Sequence, residues 1–123
     1  MMDLDGFKGI NDIYGHPTGD QALIVTARLL RRSVGSMRSI VVRYGGDEFL
    51  VMGFPNNNPD AYKARTEALF AESNAAAELP FPIHISIGYT EYRAGQTLDE
   101  LVSVADQYLY RRKKQGRGVA MGV

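Results

Sequence analysis

The sequence predicts an α+β fold in which helices flank a central antiparallel or mixed sheet. Three patterns support this prediction: apolar residues at helical spacing, runs of β-favouring residues, and glycine or proline between them. The predicted order is a strand end, a helix, a hairpin, a helix, a strand and a helix, which favours helices on one face of the sheet. A length of 123 residues with 45% hydrophobic content allows one core, so we expect a single domain, 1–123.

Capping residues and apolar spacing predict three helices. The first covers residues 17–35 and begins with a capping box at Thr18–Gln21. The second follows the cap Asn58 and the first-turn Pro59 and continues to Glu78, before two further prolines stop it.

The third predicted helix begins with a capping box at Thr97–Glu100. Gly116 and Gly118 are expected to end it, because glycine is common just after a helix. A short final strand is expected at residues 119–121.

The predicted strands lie between these helices. Residues 39–44 and 47–52 are two β-rich runs around Gly45-Gly46, which predicts a hairpin with a two-residue turn. Residues 83–92 alternate like a further strand.

Composition excludes several classes of function. The 14 basic residues balance the 14 acidic ones, so the chain does not have the basic character expected of a nucleic-acid-binding protein. Cysteine is absent, which excludes disulfides and thiolate metal sites, and two histidines leave oxygen atoms as the realistic metal ligands. No apolar run reaches the roughly 20 residues of a membrane span. We expect a cytoplasmic chain, either free or part of a membrane-anchored parent.

Asp47 and Glu48 follow the glycine pair at the tip of the predicted hairpin. Aspartate is depleted in strands, and two adjacent charges need water or a cation, so these residues are candidates for a cation or catalytic site. The structural alternative is a solvated turn of type I′ or II′ with acidic side chains.

A second acidic cluster lies near the amino terminus. Asp3 and Asp5 project to one side if this segment is extended, and two acids that end an apolar strand are a common way to hold a hard cation. Gly6 frees the backbone, whose N–H groups can then turn toward phosphate oxygens. A polar loop after a strand is the alternative interpretation.

Basic residues gather at the end of the last predicted helix, at positions 111–114 and 117. Lys113 and Arg117 are four residues apart and hence on one face, which suits cations that bind one polyphosphate. Two alternatives stay open, because a helix C-terminus favours positive charge and a basic surface can bind nucleic acid or an acidic partner.

Taken together, these motifs resemble the GGDEF family in their order and spacing. The matching residues are Asp3–Lys8, Asn11-Asp12, Tyr14–His16, Gly19-Asp20, Arg43–Phe49, Ser86–Gly88, Ala105–Lys113 and Gly116-Arg117. The resemblance implies a diguanylate cyclase, which joins two GTP molecules into the bacterial second messenger cyclic di-GMP. It also implies a ferredoxin-like palm similar to that of nucleotidyl cyclases.

The resemblance implies a metal site and two catalytic residues. Asp3 and Asp47 would bind Mg²⁺, with Mn²⁺ as an alternative, and the Leu4 carbonyl would be a backbone ligand. Asp47 would also assist deprotonation of the attacking hydroxyl, and Glu48 is the second candidate for metal binding or activation.

The implied substrate-binding positions fall into four groups. They are the phosphate loop at Gly6, Phe7 and Lys8, the glycine pair Gly45 and Gly46, the phosphate clamp Lys113 and Arg117, and the guanine-recognising Asn11 and Asp20. A carboxylate accepts from both N1–H and the 2-amino group of guanine, and adenine lacks this donor pair, so GTP is favoured over ATP.

The implied reaction is attack by the 3′-hydroxyl of one GTP on the α-phosphate of another, carried out twice with release of pyrophosphate. Each domain of this family binds one GTP, so two copies must face each other and a homodimer is implied. A sensory or regulatory domain is expected in the parent chain. The main alternative is a catalytically inactive GGDEF domain that binds GTP and regulates a neighbouring module.

Several residues of the family pattern are interpreted as structural. Tyr14, Gly15 and His16 are expected to be structural, with His16 as a hydrogen-bonded loop or core residue. His84 is expected to have no special role. Ser86–Gly88 is interpreted as a buried strand whose glycine allows close packing.

Two features depart from the family pattern. The inhibitory product site Arg-x-x-Asp of many cyclases would fall on Ser36 and Ser39, and Arg38 is out of register, so we expect no high-affinity product inhibition there. The usual amino-terminal helix and most of the first strand are lacking, so we expect this sequence to be a piece of a longer protein. Asp3 would then lie on a fraying end, which leaves the activity of the isolated piece open.

Overall fold

The computed structural model describes residues 1–35, 38–53 and 59–120, of which 115–120 are described by their backbone alone. Within those ranges a four-stranded antiparallel sheet carries four helices, which confirms the α+β class. In chain order the elements are β1 (Met2–Leu4), α1 (Phe7–Tyr14), α2 (His16–Val34), β2 (Ser39–Arg43), β3 (Glu48–Gly53), α3 (Pro59–Ala75), β4 (Ile85–Ile87) and α4 (Leu98–Ala120). The strand order is β2-β3-β1-β4, so β1 lies between the hairpin and β4.

Helices α1, α2 and α3 pack on one face of the sheet. Alternate residues of each strand point to this face and join the larger buried cluster. Its strand residues include Met2, Leu4, Phe49 and Ile87, and its helical residues include Leu29, Leu30 and Phe70.

Helix α4 covers the opposite face, so the prediction of helices on one face only is wrong. Met1, Leu50, Ala105 and Leu109 form a second buried cluster there. The reason is that the central strand β3 carries apolar residues on both faces, and each apolar face needs a cover. Asp3 points to the α4 side, since its neighbours in β1 point to the other core.

Helix α1 occupies a segment where the sequence predicted no helix. It begins behind Gly6, whose φ of 68° is a left-handed conformation, and it ends at Gly15 with a φ of 87°. Phe7 and Ile10 pack against the larger core. Tertiary packing therefore stabilises a helix too short to be stable alone.

The hairpin of β2 and β3 is present, but its connection is longer than predicted. Residues 44–47 join the two strands, and neither Gly45 nor Gly46 has a positive φ, so the two-residue turn of type I′ or II′ is wrong. Arg43 holds the longer loop, because its guanidinium donates to the carbonyls of both glycines at 2.7 to 3.3 Å.

Helix α2 confirms the first predicted helix but not its capping box. The helix begins at His16 behind the cap Gly15, and no side chain caps it. Pro17 fits the first turn, where its missing N–H costs nothing. Because the helix begins at His16, Thr18 lies inside it and cannot be its cap.

Helix α3 ends at Ala75, short of the predicted Glu78. The Asn74 side chain exchanges two hydrogen bonds with the backbone of Ile83, at 2.8 and 2.9 Å, and Ala77 has a φ of 53°. These bonds fix the chain reversal in place of another helical turn. The predicted cap Asn58 lies outside the described residues.

Strand β4 spans only Ile85–Ile87, not the predicted 83–92. Its neighbour β1 has three residues, and an edge strand pairs only as far as its partner extends. The glycine prediction is confirmed, because a Cβ on the buried Gly88 would lie 2.2 Å from the Leu109 amide nitrogen of α4.

Helix α4 continues to Ala120, through Gly116 and Gly118. The predicted stop is therefore wrong, as is the part of the predicted final strand that the structure describes, residues 119–120. A glycine inside a helix costs only about 1 kcal/mol, which the flanking residues can offset. Neither α4 nor another helix in the described ranges combines the length and apolarity needed to span a membrane.

Candidate functional site

Two carboxylates meet where β1 lies beside the loop that leads into β3. Asp3 on β1 is opposite Glu48, the first residue of β3, and the Leu4 N–H donates to the Asp47 carbonyl at 3.1 Å. The Asp47 side chain lies close enough to Asp3 to raise the pKa of that carboxyl group. The structure thus brings together two acids that are far apart in the sequence.

Lys113 of α4 joins this site from the other side. Its Nζ lies 2.5 Å from Asp3 Oδ2, and the two side chains are 23% and 14% exposed. A charged pair with this little solvent interacts more strongly than a surface pair. Asp3 Oδ1 is different, because it is buried and has no hydrogen-bond partner among the described residues.

The pKa of Asp3 is raised mainly by burial. Burial, followed by the neighbouring Asp47, raises the pKa of Asp3 to about 6, although Lys113 acts to lower it. Burial penalises the ionised carboxylate, and a second acid nearby adds to the penalty. A divalent cation at this point would favour both ionised carboxylates.

The donor set fits Mg²⁺. This ion takes oxygen ligands and is usually bound through one or two carboxylates together with substrate phosphates. Asp3 and Asp47 supply two carboxylates, and the buried Asp3 Oδ1 is an acceptor in need of a partner. Across the described part of the chain, no group of three or more His, Asp or Glu side chains could hold a metal. The remaining ligands would have to come from the backbone and the substrate.

Asp5 and Ser86 form the wall of this site along β4. Asp5 lies just beyond β1 and accepts a hydrogen bond of 2.6 Å from the Ser86 hydroxyl. Ser86 is opposite Asp3 across the β1–β4 pair, so it faces the same side of the sheet. The sequence assigned Ser86 no catalytic role, although Ser86 belongs to the family pattern and is a polar position between two apolar strand residues.

Glu48, the second catalytic candidate, is half-buried and turns toward the glycine loop. Its carboxylate oxygen lies 3.6 Å from the position a Cβ on Gly45 would take. Gly46 faces open space, since an added Cβ there would meet nothing within 4 Å. The loop therefore exposes its backbone beside both acids.

A second group of predicted site residues lies where α1 meets α2. Asn11 of α1 lies against Gly19 of α2, and Asn11 Oδ1 is buried without a hydrogen-bond partner in the described structure. Asp20, the next residue of α2, is exposed and lines a groove together with Arg43 and Phe49. The groove therefore extends from Asp20 on α2 to Arg43 and Phe49, on the two strands that the glycine loop joins.

The amino terminus of α1 completes the arrangement. No side chain caps the helix at Gly6, so its first N–H groups remain available to an anion. Lys8 is exposed in this first turn, whereas Phe7 packs inward and offers only its backbone.

Other predicted residues have different surroundings. The Arg117 side chain lies outside the described residues. His16 is exposed at the first position of α2, so it is neither the loop residue nor the core residue that the sequence predicted. His84 is exposed just before β4. Tyr14 is structural as expected, with its ring centroid 4.5 Å from that of Phe81.

Comparison with known proteins decides the family. The family model described as "Diguanylate cyclase, GGDEF domain" matches residues 1–119. The chain belongs to the GGDEF family. This GGDEF domain is 34% identical over 118 residues to diguanylate cyclase DgcM of Escherichia coli, which covers 95% of the chain and 28% of that relative. The chain spans less than a third of the length of the curated relatives it matches.

Solved structures agree with the family. The GGDEF domain of DgcB from Caulobacter crescentus, in complex with c-di-GMP, is 31% identical with a TM-score of 0.76, over 94% of this chain and 70% of that one. Diguanylate cyclase SiaD from Pseudomonas aeruginosa, in complex with its activator SiaC, is 30% identical with a TM-score of 0.80, over 94% and 45%. Both neighbours therefore share the α+β architecture of this chain.

Proposed function

We propose that this GGDEF domain, residues 1–123, is the catalytic domain of a magnesium-dependent diguanylate cyclase. It would condense two GTP molecules into cyclic di-GMP and two pyrophosphates across a homodimer. The observation that carries the proposal is the convergence of Asp3, Asp47 and Lys113 where β1, the loop before β3 and helix α4 meet. Two acids and a lysine surround an oxygen, Asp3 Oδ1, that has no partner in the described part of the chain, and this arrangement suits a cation bound to a polyphosphate.

In this proposal Asp3, Asp47 and the Leu4 carbonyl hold Mg²⁺. When bound, the metal favours ionisation of the attacking hydroxyl and neutralises charge on the leaving pyrophosphate. Asp47 is the candidate to accept the proton of the 3′-hydroxyl, because it lies in the loop with its side chain half-buried. Glu48 is the second candidate.

Lys113 is proposed to exchange partners during the reaction. Without substrate it is paired with Asp3. A triphosphate brings several negative charges, so Lys113 gains a stronger partner while Asp3 becomes free to ionise against the cation. Arg117, one helical turn further along α4, is proposed to support it.

Phosphates and base are proposed to bind on either side of α1. The uncapped N–H groups after Gly6, with Lys8, receive the phosphates. Asn11 and Asp20 bind the guanine edge at the α1–α2 contact, and the carboxylate of Asp20 selects guanine over adenine because adenine lacks the matching donor pair.

Turnover with GTP and Mg²⁺ tests this proposal. We expect cyclic di-GMP and pyrophosphate in a 1:2 ratio, measured by chromatography and a phosphate-release assay. Asp47→Ala should abolish turnover, whereas Asp12→Ala, an exposed acid of α1 outside the site, should keep it. Saturable GTP binding without product would instead support an inactive regulatory domain, and no GTP binding would refute both functions.

A further inference from the structure

Gly19 of α2 leaves space that Asn11 of α1 fills. A Cβ built on Gly19 would lie 1.8 Å from Asn11 Oδ1 and 2.9 Å from Asn11 Cγ, closer than non-bonded atoms can approach. The next nearest atom is the Phe7 ring carbon Cε1, at 3.5 Å, which is an ordinary contact. A methyl group at position 19 would therefore collide with one side chain, that of Asn11.

The backbone does not explain this glycine. Gly19 is buried within α2, its φ is not positive, and its N–H donates to the Gly15 carbonyl at 3.0 Å like that of an ordinary helical residue. Glycine is a poor helix former, and alanine would be the better residue at such a position. What glycine provides here is the absence of a side chain.

Asn11 benefits from that absence. Its Oδ1 is buried against Gly19 and has no hydrogen-bond partner within the described residues. An unpaired buried amide oxygen is unfavourable, so this orientation of the amide needs a compensating function. The contact also places the amide against the residue that precedes Asp20 in α2.

We infer that Gly19 is a positioning residue for nucleotide recognition: by lacking a Cβ, it sets the orientation of the Asn11 side chain with which the domain selects guanine. This inference rests on the proposed function and adds a determinant that touches no substrate. It predicts that the effect of a methyl group at position 19 is transmitted through Asn11 alone.

A double-mutant cycle between positions 19 and 11 tests the inference. The probes are α,β-methylene GTP, which cannot release pyrophosphate, and its adenine counterpart, each titrated calorimetrically with Mg²⁺ into the 123-residue protein. Gly19→Ala should weaken binding of the guanine analogue about tenfold, the scale of one lost hydrogen bond, and leave the adenine analogue unchanged. In the Asn11→Ala background, Gly19→Ala should have no further effect, because the colliding side chain is gone.

Two controls separate this effect from misfolding. Gln21→Ala in α2 is the control variant, since it shortens an exposed side chain of the same helix and keeps the contact between Asn11 and Gly19, and it should bind like the parent. The melting temperature of Gly19→Ala should not fall by more than a few degrees. Failure of the parent to bind the guanine analogue would refute the proposed function and this inference with it. Normal binding by Gly19→Ala, or an equal loss in both Asn11 backgrounds, would refute the inference alone.

Discussion

Asp3 shows at the residue scale how the fold prepares a carboxylate for a cation. One oxygen pairs with Lys113, the other is buried without a partner among the described residues, and Asp47 adds a second acid. These surroundings disfavour the ionised form, and the pKa of Asp3 rises to about 6. Protonation and metal binding at Asp3 are therefore competing events.

Metal affinity should depend on pH because of this competition. The pKa of Asp3 is about 6, so Asp3 carries a proton in the free domain when the pH is below this value. The affinity for Mg²⁺ should then fall by up to about tenfold for each pH unit of further acidification. The loss should begin near pH 6, not near pH 4 as for an ordinary aspartate. Calorimetric titration of Mg²⁺ with α,β-methylene GTP between pH 5 and 8 would measure this.

Asp3→Asn is the control for this dependence. It removes the titrating group, so binding should be weak and the step near pH 6 should disappear. A step of the same size in Asp3→Asn would assign the titration to another group.

A further prediction concerns inhibition by the product cyclic di-GMP. Many cyclases are expected to carry an arginine at the position of Ser36, which lies outside the described residues, and an aspartate at the position of Ser39 in β2. Serine cannot supply either charge, so cyclic di-GMP should not bind tightly there. The double variant Ser36→Arg, Ser39→Asp should gain affinity in a calorimetric titration, and tight binding by the parent that Arg38→Ala abolishes would contradict the prediction.

Among the secondary-structure elements, helix α4 depends most clearly on specific contacts for its position on the sheet. Two contacts fix this helix on the sheet: Gly88 lies directly under it, and Lys113 pairs with Asp3. An added Cβ on Gly88 would lie 2.2 Å from the Leu109 nitrogen and 2.5 Å from the Ala105 carbonyl oxygen, both of which are backbone atoms. The helix as a whole would have to move to accept it.

Gly88→Ala should therefore destabilise the domain and weaken catalysis together. Overpacking of this kind costs about 1 to 3 kcal/mol, and the displaced α4 would carry Lys113 away from the site. Urea denaturation and cyclic di-GMP formation measure the two effects. Gln21→Ala, which shortens an exposed side chain of α2, should match the parent in both assays. A Gly88→Ala variant as stable as the parent would show that α4 is not held by this contact.

The sequence predicted the elements that have strong local signals. Helix α4 begins at the predicted cap, where Thr97 Oγ1 accepts from the Glu100 N–H at 3.2 Å. Helix α1 was missed because it is short and contains Gly9, so packing stabilises it more than its own propensity. The predicted length of β4 was too great. The strand extends only as far as its partner β1, and the local pattern of residues 83–92 carries no information about the length of β1.

The candidate site was predicted by resemblance more than by spacing. Lys113 and Asp3 are 110 residues apart, and no periodicity relates them. The hydrogen bond between Ser86 and Asp5 was also not predictable from spacing, because it depends on the register of the strands. The roles of these residues stay predictions until turnover is measured.

At the scale of the whole molecule, the proposed reaction needs two copies of the domain. Each copy is proposed to hold one GTP, so product forms only when two loaded sites face each other. Turnover per protein molecule should therefore rise with protein concentration and reach a plateau once the dimer is saturated. Binding of α,β-methylene GTP per copy should not change over the same range. A turnover rate that stays constant down to concentrations where light scattering finds only monomer would refute the dimer mechanism.

A crystal structure with Mn²⁺ and α,β-methylene GTP tests the central claim most directly, because the anomalous signal of manganese locates the ion without reference to the protein. We predict a peak bonded to carboxylate oxygens of both Asp3 and Asp47, at about the 2.1 Å typical of small divalent cations. Lys113 should then contact phosphate oxygens in place of Asp3. A metal bound away from these two acids, or a nucleotide seated elsewhere on the domain, would contradict the account.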